Sequence, residues 1–145
     1  MKKIIPKQLG ELLIDCKLIT TQQLEEGLAL QKEKGGLLGQ LLVGLHYVTE
    51  EAIAQALTAQ YGFPYLPLGG YEIDPEVAKI IPEQVAKQYG LIAVDRVGSI
   101  LTVAMSNPLN TQAIEDIEML THYKVQVFVT TAGDVAAAVK GVYKA

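Results

Sequence analysis

The sequence predicts an α+β protein: an N-terminal four-helix unit of two helical-hairpin repeats over residues 1–62, then a small mixed β-sheet with packed helices over residues 63–145. Three observations carry this. First, Leu9-Gly10, Leu12-Leu13, Thr20, Leu28 and Gln31 recur in the same order as Leu38-Gly39, Leu41-Leu42, Thr49, Leu57 and Gln60, an internal repeat whose matched positions are mostly apolar. Second, the texture changes after Gly62, where Phe63-Pro64-Tyr65-Leu66-Pro67-Leu68 carries two prolines that exclude a regular helix. Third, Lys124–Val129 alternates and is valine-rich, the pattern of a strand with one face buried.

Each repeat reads as two helices. Residues 9–16 and 38–45 carry apolar side chains at helical spacing, and the partner helices start at Thr20 and Thr49. Thr20 with Gln23 has the form of a capping box. Thr49 lacks the reciprocal glutamine, since Ala52 stands there, but Glu50 and Glu51 suit the positive end of a helix dipole. Leu24, Leu28 and Gln31, like Ile53, Leu57 and Gln60, then share one helical face, so each hairpin can cover the apolar side of the other. Lys32–Gly36 is the polar hinge between copies.

In the second half, Asp74-Pro75 starts a short helix with an N-cap and an N1 proline, and Pro82 opens another that ends near Gly90. Leu91–Val94 and Ile100–Ala104 are apolar runs joined by Asp95-Arg96-Val97-Gly98-Ser99, a hairpin or tight connection. Asn110 caps a helix over Thr111–Thr121, the Lys124–Val129 strand follows, and Thr131 caps a last helix over Gly133–Tyr143. This β-α-β order yields a mixed sheet with helices packed on it.

Composition narrows the function. Of the 145 residues, 50% are hydrophobic and 19% charged, with a net charge of −4. No basic stripe exists to track a phosphate backbone, so a nucleic-acid polymer is not the expected partner. A local anion site stays open, because helix N-termini bind anions without net positive charge. The start Met1-Lys2-Lys3-Ile4-Ile5-Pro6 has no apolar signal region, and no run approaches the roughly 20 apolar residues of a membrane span. Direct membrane insertion is not expected and the cytoplasm is the expected compartment. Cys16 is the one cysteine and reads as a small buried apolar residue, which leaves no cysteine-based metal site and no intramolecular disulfide.

Enzyme motifs are missing. The chain has neither a G-x-x-x-x-G-K-[ST] loop nor a G-x-G-x-x-G turn, so no catalytic residue is assigned and no metal is expected. His46 and His122 sit in different halves and read as turn or helix-end residues. Ser99 and Ser106 have no neighbouring histidine, and Glu25-Glu26, Glu50-Glu51 and Glu115-Asp116 read as solvated helix surface. What remains is the doubled Leu-Gly with its trailing glutamine. One reading is helix packing, with Gly10 and Gly39 as contact points and Gln31 and Gln60 as helix-end caps. The other is a two-lobed ligand site, where the missing Cβ admits a flat ligand and the amide meets a guanine edge.

These residues carry a resemblance. Leu9-Gly10-x-Leu12-Leu13…Ile19-Thr20…Leu24-x-x-x-Leu28-x-x-Gln31 and its copy Leu38-Gly39-x-Leu41-Leu42…Val48-Thr49…Ile53-x-x-x-Leu57-x-x-Gln60 resemble the N-terminal domain of type II secretion and type IV pilus assembly ATPases. Tyr61-Gly62-Phe63-Pro64-Tyr65-Leu66, Ile81-Pro82 and Leu101-Thr102-Val103-Ala104-Met105-Ser106-Asn107-Pro108 extend the likeness over about residues 7–143. The resemblance implies a regulatory or docking module in protein transport, without catalysis of its own. A covalently linked motor ATPase would lie outside the chain, and the partners would be inner-membrane platform or assembly proteins, giving a cytoplasmic location peripheral to that membrane. Some members of the family bind cyclic di-GMP, which makes it the candidate ligand and Gln8, Leu9, Gly10, Leu13, Gln31, Leu38, Gly39, Leu42 and Gln60 the candidate contacts. In those members a basic residue precedes each Leu-Gly. Here the positions hold Gln8 and Leu37, with Lys7 one residue early. Two charge-assisted bonds at roughly 1.5–3 kcal/mol each correspond to about two to four orders of magnitude in affinity.

Overall fold

Thr20 and Thr49 do what their positions demand. In the computed structural model, which describes residues 9–69 and 71–143, the Thr20 hydroxyl accepts the Gln23 N–H at 3.1 Å while the Gln23 side chain accepts the Thr20 N–H at 2.9 Å. That capping box opens α2 (Thr21–Lys34), and Thr49 opens α4 (Glu50–Tyr61) by accepting from Ala52 N–H alone. The helices before them are α1 (Leu9–Asp15) and α3 (Leu38–Gly44). Both end in the same way. Lys17 and His46 take φ of 61° and 65°, and the following residues, Leu18 and Tyr47, donate their N–H groups back to Leu13 and Leu42. This is a Schellman-type stop, used twice at equivalent repeat positions without glycine.

The two hairpins bury each other. Leu12, Leu13 and Ile19 of the first copy pack with Leu42, Val48, Ile53 and Leu57 of the second, and Cys16 sits half-buried at the rim of this cluster. Leu109 and Val129 enter the same cluster from the far half of the chain.

After Gly62, whose φ of 72° closes α4, Pro64 to Leu66 runs beside a later strand. Two short helices follow, α5 (Pro75–Ala78) and α6 (Glu83–Tyr89), then β1 (Leu91–Val97), β2 (Ile100–Met105), α7 (Thr111–Thr121), β3 (Lys124–Val129) and α8 (Ala132–Val142). The sheet order is β1-β2-β3, antiparallel between β1 and β2 and parallel between β2 and β3, with α7 as the crossover. Ile81, Leu91, Ile92, Leu101, Val103, Met105 and Ile117 are fully buried beneath α7 and α8. Eight helices and a three-stranded mixed sheet among the described residues make the α+β fold that the patterning predicts.

Several boundaries differ from expectation, among them α2, which runs to Lys34 and takes up the first part of the expected Lys32–Gly36 hinge. β1 runs to Val97 where the apolar run stops at Val94, leaving only Gly98-Ser99 as the turn. Its outer half is exposed and polar, so it reads as loop, yet after a register shift between Ala93 and Asp95 the ladder continues and pairs the backbone. Pro82 is the residue before α6 with ψ of 144°, not its first turn. The last helix starts at Ala132, directly after Thr131, whose hydroxyl accepts from Asp134 N–H. Among the described residues no helix is long and apolar enough to cross a membrane.

Candidate functional site

β2 and β3 run parallel, so the loops after their C-terminal ends emerge side by side, Ser106–Asn110 after β2 and Thr130–Thr131 after β3. Open α/β arrangements place ligand sites at such strand ends. Facing these loops are the starts of the helical repeat, and between them lies a cleft of about 680 Å³, in the size range of small-molecule sites.

The repeat supplies mainly apolar wall: Leu9 and Gly10 of α1, Leu24, Leu28 and Gln31 of α2, and Leu38, Gly39 and Val43 of α3. The sheet side supplies polar wall: Ser106, Asn107, Asn110, Thr111, Gln112, Thr130 and Thr131. Several of these polar groups are committed to local structure. Asn107 Oδ1 accepts from Leu109 N–H, Asn110 Oδ1 from Ala113 N–H, and the Ser106 hydroxyl donates to the Gly90 carbonyl at 3.3 Å. Thr130 is different: it is 1% exposed and its Oγ1 has no hydrogen-bond partner among the described residues.

Charge on the walls is sparse. Among the described residues, the ionisable ones that line it are Glu11 and Glu50. Positive potential comes instead from the backbone, because α4, α7 and α8 all begin at the cleft, with Glu50, Thr111 and Ala132 as their first residues, and the short helix α3 begins there too. A helix N-terminus carries roughly half a positive charge, here met in part by the caps Thr49, Asn110 and Thr131 and, at α8, by Glu50. The groups with shifted pKa lie elsewhere. Tyr89 is held above its usual value by its bond to Asp116, Tyr47 by its bond to Glu26, Arg96 by Tyr123, and Tyr143 by burial, while Asp116 is lowered by donors from Tyr89 and Gln112. No group of three His, Cys, Asp or Glu among the described residues forms a metal cluster.

The structure brings together part of the sequence-derived set. Leu9, Gly10, Gln31, Leu38 and Gly39 line the cleft. Leu13 and Leu42 are 0% exposed and form the core beneath it, Gln60 is exposed on α4 away from it, and Gln8 lies outside the described residues. The two glycines are unequal. A Cβ at Gly10 would stand 2.6 Å from Leu24 Cδ1, whereas at Gly39 the nearest atom is Leu9 Cδ2 at 3.4 Å. The glutamines differ as well, since Gln31 Nε2 donates to the Gly36 carbonyl at 3.0 Å and so secures the hinge between copies. Pattern reading missed Leu28 and Glu50 as wall residues, together with the polar loops. The strand-end position of Ser106-Asn107-Pro108-Leu109-Asn110, between a strand and a capped helix, was the available signal.

Residues 61–145 match the model of the MshEN domain. The chain belongs to this family. It is similar to the type IV pilus assembly ATPase PilB of Myxococcus xanthus, 32% identical over 136 residues, and to that of Thermus thermophilus, 35% identical over 127 residues. These alignments cover 94% and 86% of the chain but only 24% and 14% of the relatives, so the chain spans a quarter or less of their length. Among solved structures, MshE with cyclic di-GMP is similar at a TM-score of 0.68 and 26% identity, covering 95% of this chain and all of that one. The N-terminal domain of XpsE gives a TM-score of 0.72 at 17% identity over 97% of this chain and 96% of its own, a likeness of fold alone. The MshEN chain thus corresponds to a part of the type IV pilus assembly ATPases it resembles, and its sequence holds no Walker A motif.

Proposed function

We propose that this MshEN chain is a non-catalytic regulatory domain of a pilus or secretion assembly ATPase, and that cyclic di-GMP in the cleft is its input. The observation that carries this reading is the convergence of both Leu-Gly segments and several helix N-termini on one cleft. Leu9, Leu24, Leu28 and Leu38 offer apolar surface for guanine faces, the amides of Gln40, Asn107 and Gln112 suit guanine edges, and the helix ends suit phosphodiesters. Helix ends also offset part of what is lost with uncharged Gln8 and Leu37. The solved MshE complex at 26% identity supports the same ligand. Gly10, Gln31 and Gly39 act here as shape and hinge elements, with Leu13 and Leu42 as the packed support. Residues 1–62 and 63–145 serve as the two jaws. Titration calorimetry on the chain tests this: binding that weakens in Leu28→Ser is expected, and no heat at high-micromolar cyclic di-GMP refutes it.

A specific observation favours a docking role beside sensing. Val97, Ile100, Met119 and Leu120 are 68%, 43%, 80% and 52% exposed, and the Lys124 N–H bond to the Ser99 carbonyl brings the β1–β2 turn beside the end of α7. This apolar end of the sheet suits a platform protein of the inner membrane, with the motor ATPase covalently linked beyond this chain and the assembly held peripherally on the cytoplasmic side. The PilB relatives favour the pilus system. Val97→Glu with Met119→Glu should abolish co-purification of the platform protein, and undiminished association would remove the docking role.

A further inference from the structure

Glu50 joins the two jaws. It is the first residue of α4, and its Oε1 accepts the N–H of Gly133, the second residue of α8, at 2.7 Å. The approach depends on glycine, because a Cβ at Gly133 would stand 2.9 Å from Glu50 Oε2. An anion therefore already occupies the N-terminus of α8, an eleven-residue helix, and it is supplied by the protein. Thr130, which immediately precedes the α8 N-cap Thr131, lines the same cleft, and its buried hydroxyl has no partner among the described residues. Burying a hydroxyl unsatisfied is unfavourable, and such groups in native proteins call for an explanation, a ligand atom among them.

We propose that the N-terminus of α8, together with the Thr130 residue that precedes its cap, is the phosphate-receiving end of the cleft, and that the Glu50 carboxylate is its resting occupant, displaced when a ligand phosphate enters. This rests on the nucleotide-binding reading above and adds how the site is regulated. The arriving phosphate takes the Gly133 N–H and gives the Thr130 hydroxyl an acceptor. The carboxylate must leave, since two anions at one helix end repel. Its departure breaks the tie between α4 and α8, so occupancy of the cleft is coupled to the joint between the helical repeat and the sheet. A glycine at the second helical position lets a tetrahedral phosphate approach the backbone as closely as the carboxylate does.

The test uses the 145-residue chain. Glu50→Gln keeps the size of the side chain and an acceptor for Gly133 but removes the competing charge. Cyclic di-GMP should bind it about five- to tenfold more tightly than wild type, with the gain shrinking as salt rises. Thr130→Val is isosteric and removes an unsatisfied buried hydroxyl. It should be at least as stable as wild type in urea and yet bind about tenfold more weakly, a combination a purely structural threonine would not produce. Wild-type binding with both variants at wild-type affinity overturns this inference and leaves the nucleotide reading standing. If neither wild type nor Glu50→Gln binds cyclic di-GMP, the nucleotide reading fails. Inorganic phosphate and pyrophosphate then decide the subsite through the Gly133 amide resonance. A shift in Glu50→Gln that is weaker in wild type supports it, and an unmoved resonance in both overturns it.

Discussion

Tyr143 is the clearest place to weigh a single hydroxyl. It follows α8, and its Oη lies 2.7 Å from the Ala78 carbonyl and 2.6 Å from the Ile81 carbonyl, tying the end of the last helix to the α5–α6 corner. One phenolic proton serves two acceptors, so Tyr143→Phe removes about one net hydrogen bond, roughly 1 kcal/mol, and leaves two carbonyls short of a donor. Since the site is only half-buried, water reaches part of it, and the expected loss is about 1.5–2 kcal/mol. Ionisation sets the pH range over which the bond is lost. Burial, with a smaller repulsion from Glu83, pushes the phenol from 10.0 up to about 12. The folded value lies above the unfolded one. The contribution is therefore complete below about pH 10 and is lost as pH rises through about 12. Urea denaturation of wild type and Tyr143→Phe at about pH 8 should show midpoints roughly 1 M apart, and the gap should close as the pH is raised past about 10. Tyr47 and Tyr89, also raised, titrate in both proteins and cancel in the difference. A gap that persists unchanged into strong alkali would show that the phenolic proton is not its source. A gap below about 0.5 kcal/mol at neutral pH would show that water replaces both bonds.

Other perturbations separate support from site. Leu42→Ala, at a 0% exposed position, should lower unfolding free energy by about 2–5 kcal/mol in urea titrations, while Leu28→Ser, at 45% exposure on the cleft wall, should stay within about 0.5 kcal/mol and instead weaken cyclic di-GMP. Gly27→Ala places a Cβ 2.7 Å from Leu42 Cδ2 and 3.2 Å from Leu38 Cδ1, so overpacking exceeds the helix-propensity gain and thermal melts should show a net loss of about 1 kcal/mol. Gly44→Ala, with nothing within 4 Å of its Cβ, is the control and should not destabilise. Asp116 is held below its usual value by the Tyr89 hydroxyl at 2.6 Å and Gln112 Nε2 at 2.8 Å, so its stabilisation is present above the ordinary carboxylate pKa and lost as pH falls through the folded value. Asp116→Asn should flatten the acid limb of a melting-temperature profile below about pH 4, and an unchanged limb would assign acid sensitivity to other carboxylates.

The candidate site was half visible before the fold. A repeat announces itself because burial at helical spacing must use the same residue types twice, and so Leu9, Gly10, Leu38 and Gly39 could be singled out from their letters. The repeat could not show that its copies have different fates. Leu28 and Leu57 are equivalent in pattern, yet one is 45% exposed on the cleft and the other 0% exposed in the core. Gln31 secures a hinge while Gln60 faces away from the cleft. The asymmetry arises because β3 packs against α4, the helix that carries Leu57, and Leu109 and Val129 join the cluster that buries it.

Local chemistry accounts for what the sequence alone determined: caps at Thr20, Thr49, Asp74, Asn110 and Thr131, stops at Gly62 and Gly90, and the α+β class. Those features are written within a few residues of where they act. The cleft is not local. It needs the parallel pairing of β2 with β3 to set two loops side by side, and the shared core to hold the repeat against them. Glu50 reads in the sequence as one more solvated helix-start carboxylate, and only a fold that carries Gly133 to within 2.7 Å of it makes it a tie between the two jaws. Contacts between residues 83 positions apart leave no periodic trace in a chain, because either residue alone is unremarkable where it stands.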